Sequence, residues 1–208
     1  MLGSLARLYA LGGDFERARD AYRRARAVLE DLGSNVLAAS LSLDSHAVEL
    51  LAGDASAAER ELRRDYDALD RMGEKYLLST IAGLLAQVLC AQGRYEEANT
   101  MCMITASVAA EDDAQSQALW RSVRGKVLAR RPGDGDHAVT LAREAVEILR
   151  RTDAIVWQAD ALVDLAETLA ATGEEGEAER ALEEAAALYE LKGSPVAARR
   201  ARSAVATR

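Results

Sequence analysis

The chain has 208 residues, half of them hydrophobic, with a formal net charge of −8 and an isoelectric point near 5.0. That balance excludes a general affinity for phosphate backbones, which needs a basic face, so no nucleic-acid partner is expected. Aromatic residues are 4% of the chain and prolines number two, whereas Ala, Leu, Glu and Arg dominate, so helix is expected almost throughout and strand almost nowhere.

No apolar run approaches the roughly 18 residues of a membrane span, and the opening MLGSLARLYALGGDFERA lacks a signal peptide's charged head and cleavage site. A cytoplasmic chain without membrane contact is expected. From Gly13 to Gly33 the chain reads GDFERARDAYRRARAVLEDLG, one amphipathic helix fenced by glycines. The opening glycine returns at Gly53, Gly93, Gly133 and Gly173, every 40 residues. Two more columns keep the beat: Ala18, Ala58, Ala98, Ala138 and Ala178, and the turn residues Gly33, Gly73, Asp113, Asp153 and Gly193. A chain with such a period is a stack of like units.

Each unit resolves into two helices, A before the glycine and B after it, each near 18 residues or about 27 Å long. The units span 1–32, 33–72, 73–112, 113–152 and 153–192, with a capping helix over 193–208, as a single solenoid. Glycine after helix A suits a left-handed cap, and Asp14, Asp54 and Asp134 behind it are placed to accept from the free N–H groups of helix B. The alanine column one turn into helix B lets the two backbones approach closely.

In the first unit, Met1 occupies the place that Leu41 holds one period later, so the first helix A is short. Leu2, Leu5, Leu8 and Leu11 then lack an upstream neighbour, and this end is expected to meet a second copy or an upstream domain. In the second, SNVLAASLSLDSHAVELLA carries helix A and DASAAERELRRDYDALDRM helix B. Its Asp44, Ser45 and His46 are consecutive, point about 100° apart and cannot converge as a triad; His46 is read as a partly buried helix residue.

The third unit holds Cys90 and Cys102, in no metal-ligand spacing, read as two buried thiols; Met101 and Met103 beside Cys102 are read as core filler. The fourth places Arg121, Arg124, Lys126, Arg130 and Arg131 on helix A, against the acidic average. His137 beside Asp134 and Asp136 lacks a third ligand, so no metal site is expected. In the fifth, GEEGEAERALEEA has no calcium-loop pattern and reads as a wet helix face. The cap opens with Ser194 and Pro195, directing Val196, Ala197, Ala201, Ala204 and Val205 to the last repeat and Arg199, Arg200 and Arg202 to water.

Leu5, Ala6, Tyr9, Gly13, Phe15, Ala18, Tyr22 and Ala25 carry a pattern that resembles the tetratricopeptide repeat. Later units keep it less fully: Leu85, Ala86, Gly93, Tyr95 and Ala98 in the third, and Leu165, Ala166, Gly173, Ala178, Leu182 and Ala185 in the fifth. The resemblance implies an all-α, right-handed α-α superhelix whose A helices line a concave groove. Counted back from the turn glycine, the family's groove positions land on Trp120, Val123, Val127, Arg130 and Arg131. In neighbouring units they land on Ser40, Leu43, Ala47, Thr80, Gly83, Gln87, Asp160, Val163 and Glu167. Trp120 is the expected anchor, unless it fills the space left by Gly83.

The stretches RELRRDYDALDRMGEKYLLSTIAGLLAQVLCAQGRYEEA, LWRSVRGKVLARR and LAREAVEILRRTD resemble the C-terminal solenoids of bacterial adenylate/guanylate cyclase–ATPase signalling proteins. No P-loop or cyclase signature is present, so no enzyme and no cofactor are expected. The primary expectation is a scaffold holding a partner's peptide or helix in the groove, with Arg130 and Arg131 on carboxylates. The alternative is a small-molecule-sensing regulatory tail, distinguished by a compact pocket in place of an open trough.

Overall fold

A computed structural model of the chain describes residues 2–206 and is all-helical over them. Helices α1 (Leu2–Gly12) and α2 (Phe15–Asp31) form the first hairpin; α3 (Asn35–Ala39), α4 (Ser42–Ala52) and α5 (Ala55–Met72) form the second. The third pairs α6 (Lys75–Ala91) with α7 (Tyr95–Val108), the fourth α8 (Ala114–Leu128) with α9 (Gly135–Arg150), and the fifth α10 (Ile155–Ala171) with α11 (Glu175–Leu191); α12 (Pro195–Ala206) follows. Sequential hairpins pack side by side, the arrangement of a tetratricopeptide-like solenoid.

The turn chemistry explains the period. Both glycine columns take positive φ, from 67° at Gly33 to 90° at Gly173, a conformation in which a side chain is strained. Asp14 and Asp54 accept from the N–H groups of Arg17 and Ala57 at 3.2 and 2.9 Å. Asp134 makes no such bond, a departure from expectation; Asp113 and Glu74 instead cap α8 and α6. The alanine column is fully buried in every hairpin. In the fourth, a methyl added to Gly125 would stand 2.9 Å from the Ala138 carbonyl, so glycine and alanine together set that helix crossing.

Helix A of the second unit is not continuous as expected. It breaks at Ser40 and Leu41, where charged side chains take over its backbone groups. The Asp65 carboxylate, from α5, accepts the Ser42 N–H at 3.2 Å and binds both nitrogens of Arg26 at 2.9 and 2.8 Å. Arg26 also donates to the Ala38 carbonyl at 2.7 Å. A buried guanidinium–carboxylate pair thus satisfies both sides of the break.

The last helix does more than cap. It packs on α11 and also meets α1: Val196 Cγ2 lies 3.1 Å from where a methyl on Gly13 would stand. Arg200, expected in water, donates to the Leu50 and Leu51 carbonyls at 3.0 and 2.6 Å, at the negative C-terminal end of α4. Leu51 packs against the core formed by the last two hairpins and α12. The superhelix therefore curls until its end touches its beginning. Ala197 and Ala201 are buried, as their spacing implies; Ala198, which the sequence reading did not direct inward, is buried too, and Arg202 pairs with Glu190 at 2.6 Å. At α1, Leu5 and Leu8 are exposed; the side chains of Leu2, Leu11 and Val205 lie outside the described residues.

Candidate functional site

Closure turns the concave face into a cavity of about 210 Å³. The A helices supply most of its wall: Leu43, His46 and Ala47 from α4, Leu84 and Gln87 from α6, Leu119 and Ser122 from α8, Trp157, Asp160 and Asp164 from α10. Ala10, Tyr22 and Leu149 reach it from α1, α2 and α9, Tyr189 from α11, and Ser194 and Ala197 from the final turn and helix. Leucines at helical spacing make it greasy, and a few polar groups converge in it, the general make-up of a ligand site.

The polar groups are held in place. The Tyr189 hydroxyl donates to Asp160, and burial together with that carboxylate pushes the phenol well above its usual pKa, so it remains a donor. Asp164 is 5% exposed and receives the ammonium of Lys126, which also lies 3.5 Å from Glu167. Burial opposes the charge on Lys126, but the two carboxylates outweigh it and hold the amine protonated. His46 places Nδ1 2.7 Å from the Ser42 carbonyl, and burial lowers its pKa, so the ring is neutral near pH 7.

The groove positions counted on α8 do not face this cavity. Val123 and Val127 are 0% and 2% exposed and belong to the core. Trp120 is half-buried, donates to Gln117 at 3.1 Å and lies under the Arg121 guanidinium at 4.2 Å. Arg130 stacks on Tyr95 at 4.7 Å and Arg131 pairs with Glu96 at 2.9 Å, both toward α7. The reason is a single extra residue: Gly125 and Ala138 stand one position further apart than Ala86 and Ala98 or Ala166 and Ala178. Counting back from Gly133 is therefore off by one, which rotates the expected face by about 100°. The α8 residues that line the cavity are Gln115, Ala118, Leu119 and Ser122, and Leu119, not Trp120, fills the space over Gly83.

In the other hairpins the count carries no extra residue. Gln87 and Asp160 line the cavity, as do Leu43 and Ala47. Thr80 is buried against α8, its hydroxyl 2.9 Å from that of Ser116, while Ser40 ends α3, Val163 is half-buried in core and Glu167 sits beside Lys126. Trp157, Tyr22, Tyr189, Asp44 and Asp164 were missed. Trp157 and Asp164 lie on the same face of α10 as Asp160, at helical spacing; the others converge only through closure.

The Asp44–Ser45–His46 run diverges: the Ser45 hydroxyl donates to Glu61 while His46 turns to Ser42. Cys90 and Cys102 are buried free thiols, and burial pushes Cys102 up to about 12. Among the described residues no His, Cys, Asp and Glu side chains cluster to hold a metal, and no helix is long and apolar enough to cross a membrane.

The tetratricopeptide repeat family is matched over residues 158–191, the stretch from α10 to the end of α11. Two solved structures share the architecture at low identity. The putative kinesin light chain of Podosopora anserina, with nearly identical TPR-like repeats, is 17% identical over 92% of this chain and 94% of its own, with a TM-score of 0.60. BtubC (BKLC) from P. vanneervenii is 17% identical over 92% of this chain and 79% of its own, with a TM-score of 0.64. No curated protein matches the sequence. The fold is thus that of tetratricopeptide-like solenoids.

Proposed function

We propose that the chain is a non-catalytic, ligand-binding regulatory module whose site is the cavity inside its own superhelix. The observation that supports this reading is closure: α12 against α1 and α4 leaves a compact chamber where a bound peptide needs a trough open along its length. Filling the chamber couples the first hairpins to the last, so occupancy alters how firmly the ring is shut. A module of this kind fits the cytoplasmic bacterial signalling proteins that the sequence resembles, where it would bias an attached or bound head domain.

A second reading, a protein-docking scaffold, is favoured by the exposed Val28, Leu32 and Leu37 around the turn between the first two hairpins. The two are separated by a thermal-shift screen of small molecules and peptides followed by calorimetry. Stabilisation by a small molecule, abolished in Ala161→Trp, which fills the chamber from α10, supports the first; stabilisation by peptides alone, unaffected by that substitution, overturns it.

A further inference from the structure

Across three of the junctions between hairpins, ion pairs strap one helix B to the next: Arg26 of α2 to Asp65 of α5 at 2.8 Å, Arg94 at the head of α7 to Glu59 of α5 at 2.8 Å, and Arg150 of α9 to Glu184 of α11 at 2.9 Å. Between α7 and α9 no such pair forms among the described residues. The sequence explains the gap: from Ala98 to Val108, α7 carries no charged residue for α9 to bind. The groove between them is floored by α8 and the turn after it, where Gln117, Arg121, Arg124, Leu128 and Arg131 stand three or four positions apart in one stripe. That stripe lies on the side of α8 opposite Ala118 and Ser122, so it is separate from the chamber and independent of how the chamber is read.

Within the stripe, Arg124 lacks a carboxylate among the described residues. Its Nε is buried without a hydrogen bond, and the bond its guanidinium does donate goes to Met103 Sδ at 3.3 Å, a weak acceptor. Arg121 and Arg131 pair with Glu144 and Glu96, whose side chains are 51% and 83% exposed, so neither pair is tightly held. Three guanidinium groups thus face two solvated carboxylates, and the stripe is positive on a chain of net charge −8.

We propose that this outer groove docks an acidic segment of a partner protein, with Arg121, Arg124 and Arg131 on its carboxylates. Arg124 then exchanges a sulfur acceptor for a charged oxygen, a stronger bond. Met103, 48% exposed, receives an apolar side chain next to that carboxylate. Glu111 and Asp112 fence the groove beyond Gln117, which directs the partner's acidic residues toward Arg124 and Arg131.

The test uses the whole chain and short fluorescein-labelled peptides in which pairs of Asp or Glu flank a leucine, with counterparts carrying Asn and Gln. Anisotropy is expected to show saturable binding of the acidic set, weakening as salt is added. The double substitution Arg124→Gln with Arg131→Gln should weaken it tenfold or more, while Arg180→Gln on α11 and the chamber-filling Ala161→Trp leave it unchanged. Should the double variant melt early, Arg131→Gln alone, at an exposed position, carries the comparison with a threefold loss or more. Equal binding of the amide peptides, or a loss no larger than in Arg180→Gln, overturns the acidic class at this groove. Displacement of the peptides by tripolyphosphate at equal concentration assigns the stripe to inorganic anions and overturns the protein partner. Self-association in sedimentation velocity, abolished by the same two substitutions, makes a second copy the occupant and overturns a separate partner. No saturable binding of any acidic peptide overturns the docking face, and leaves the reading of the chamber as it stood.

Discussion

The second and third hairpins have the same period and opposite interiors. In the third, α6 runs unbroken from Lys75 to Ala91 and buries nearly every residue from Leu78 to Cys90, because helices pack on all its sides. In the second, the corresponding helix is split, and its core is shared with charge: Arg26 on Asp65, Arg19 on Glu49, and Ser45 on Glu61. The period sets where a hairpin turns; the side chains facing its neighbours decide whether the helix between turns is continuous.

The largest effect that breaks this contrast is expected from Asp65→Ala. It strands a mostly buried guanidinium and frees the Ser42 N–H, at a cost of about 3–5 kcal/mol in denaturant unfolding. A loss under about 1 kcal/mol means that apolar packing, not charge, holds the second hairpin. In the third, Leu85→Ala removes a fully buried leucine and costs about 2–5 kcal/mol, with the Arg26–Asp65 pair undisturbed. Gly125→Ala tests the helix crossing of the fourth hairpin; its methyl meets the Ala138 carbonyl, and a loss of about 1–3 kcal/mol is expected by the same measurement.

Acid and alkali separate the two hairpins next. His46 is buried neutral with its pKa below the ordinary 6.5, so the unfolded chain binds a proton that the folded one refuses, and stability falls as pH drops below about 6.5. Glu59, on α5, adds to that loss: despite burial, hydrogen bonds from Arg63, Arg94 and Gln92 hold its carboxyl at about 2, so its stabilisation disappears as pH falls from 4.5 toward 2. Cys102 in the third hairpin behaves oppositely. Its thiol is raised to about 12, so stability falls as pH climbs above 9. His46→Gln should flatten the acid limb of a melting-temperature profile between pH 6.5 and 5, and Cys102→Ala the alkaline limb, neither affecting the other. The smallest equilibrium effect is expected from Arg200→Ala, within about 1 kcal/mol because the side chain is exposed, yet amide exchange in α12 should quicken.

Much of the fold was legible because its signals are local. Glycines at 40-residue intervals and a buried alanine one turn later report a backbone conformation and a close helix contact that few other residues tolerate. The break at Ser40 was not legible, since it depends on Arg26 and Asp65 meeting from other helices. On α8 the information was present in the distance from Gly125 to Ala138, but the turn glycine was the wrong origin to count from. Closure was hidden altogether: the small rotation between successive hairpins accumulates over five units, and only then does Arg200 reach carbonyls about 150 positions earlier in the chain.

That closure is tested most directly by pulsed electron spin resonance between labels at Ser56 and Arg199, two exposed sites, one following α4 and one on α12. A single narrow distribution at short distance is expected, as α12 rests on the end of α4. A broad distribution at long distance would show an open spiral, and with it the chamber would be lost.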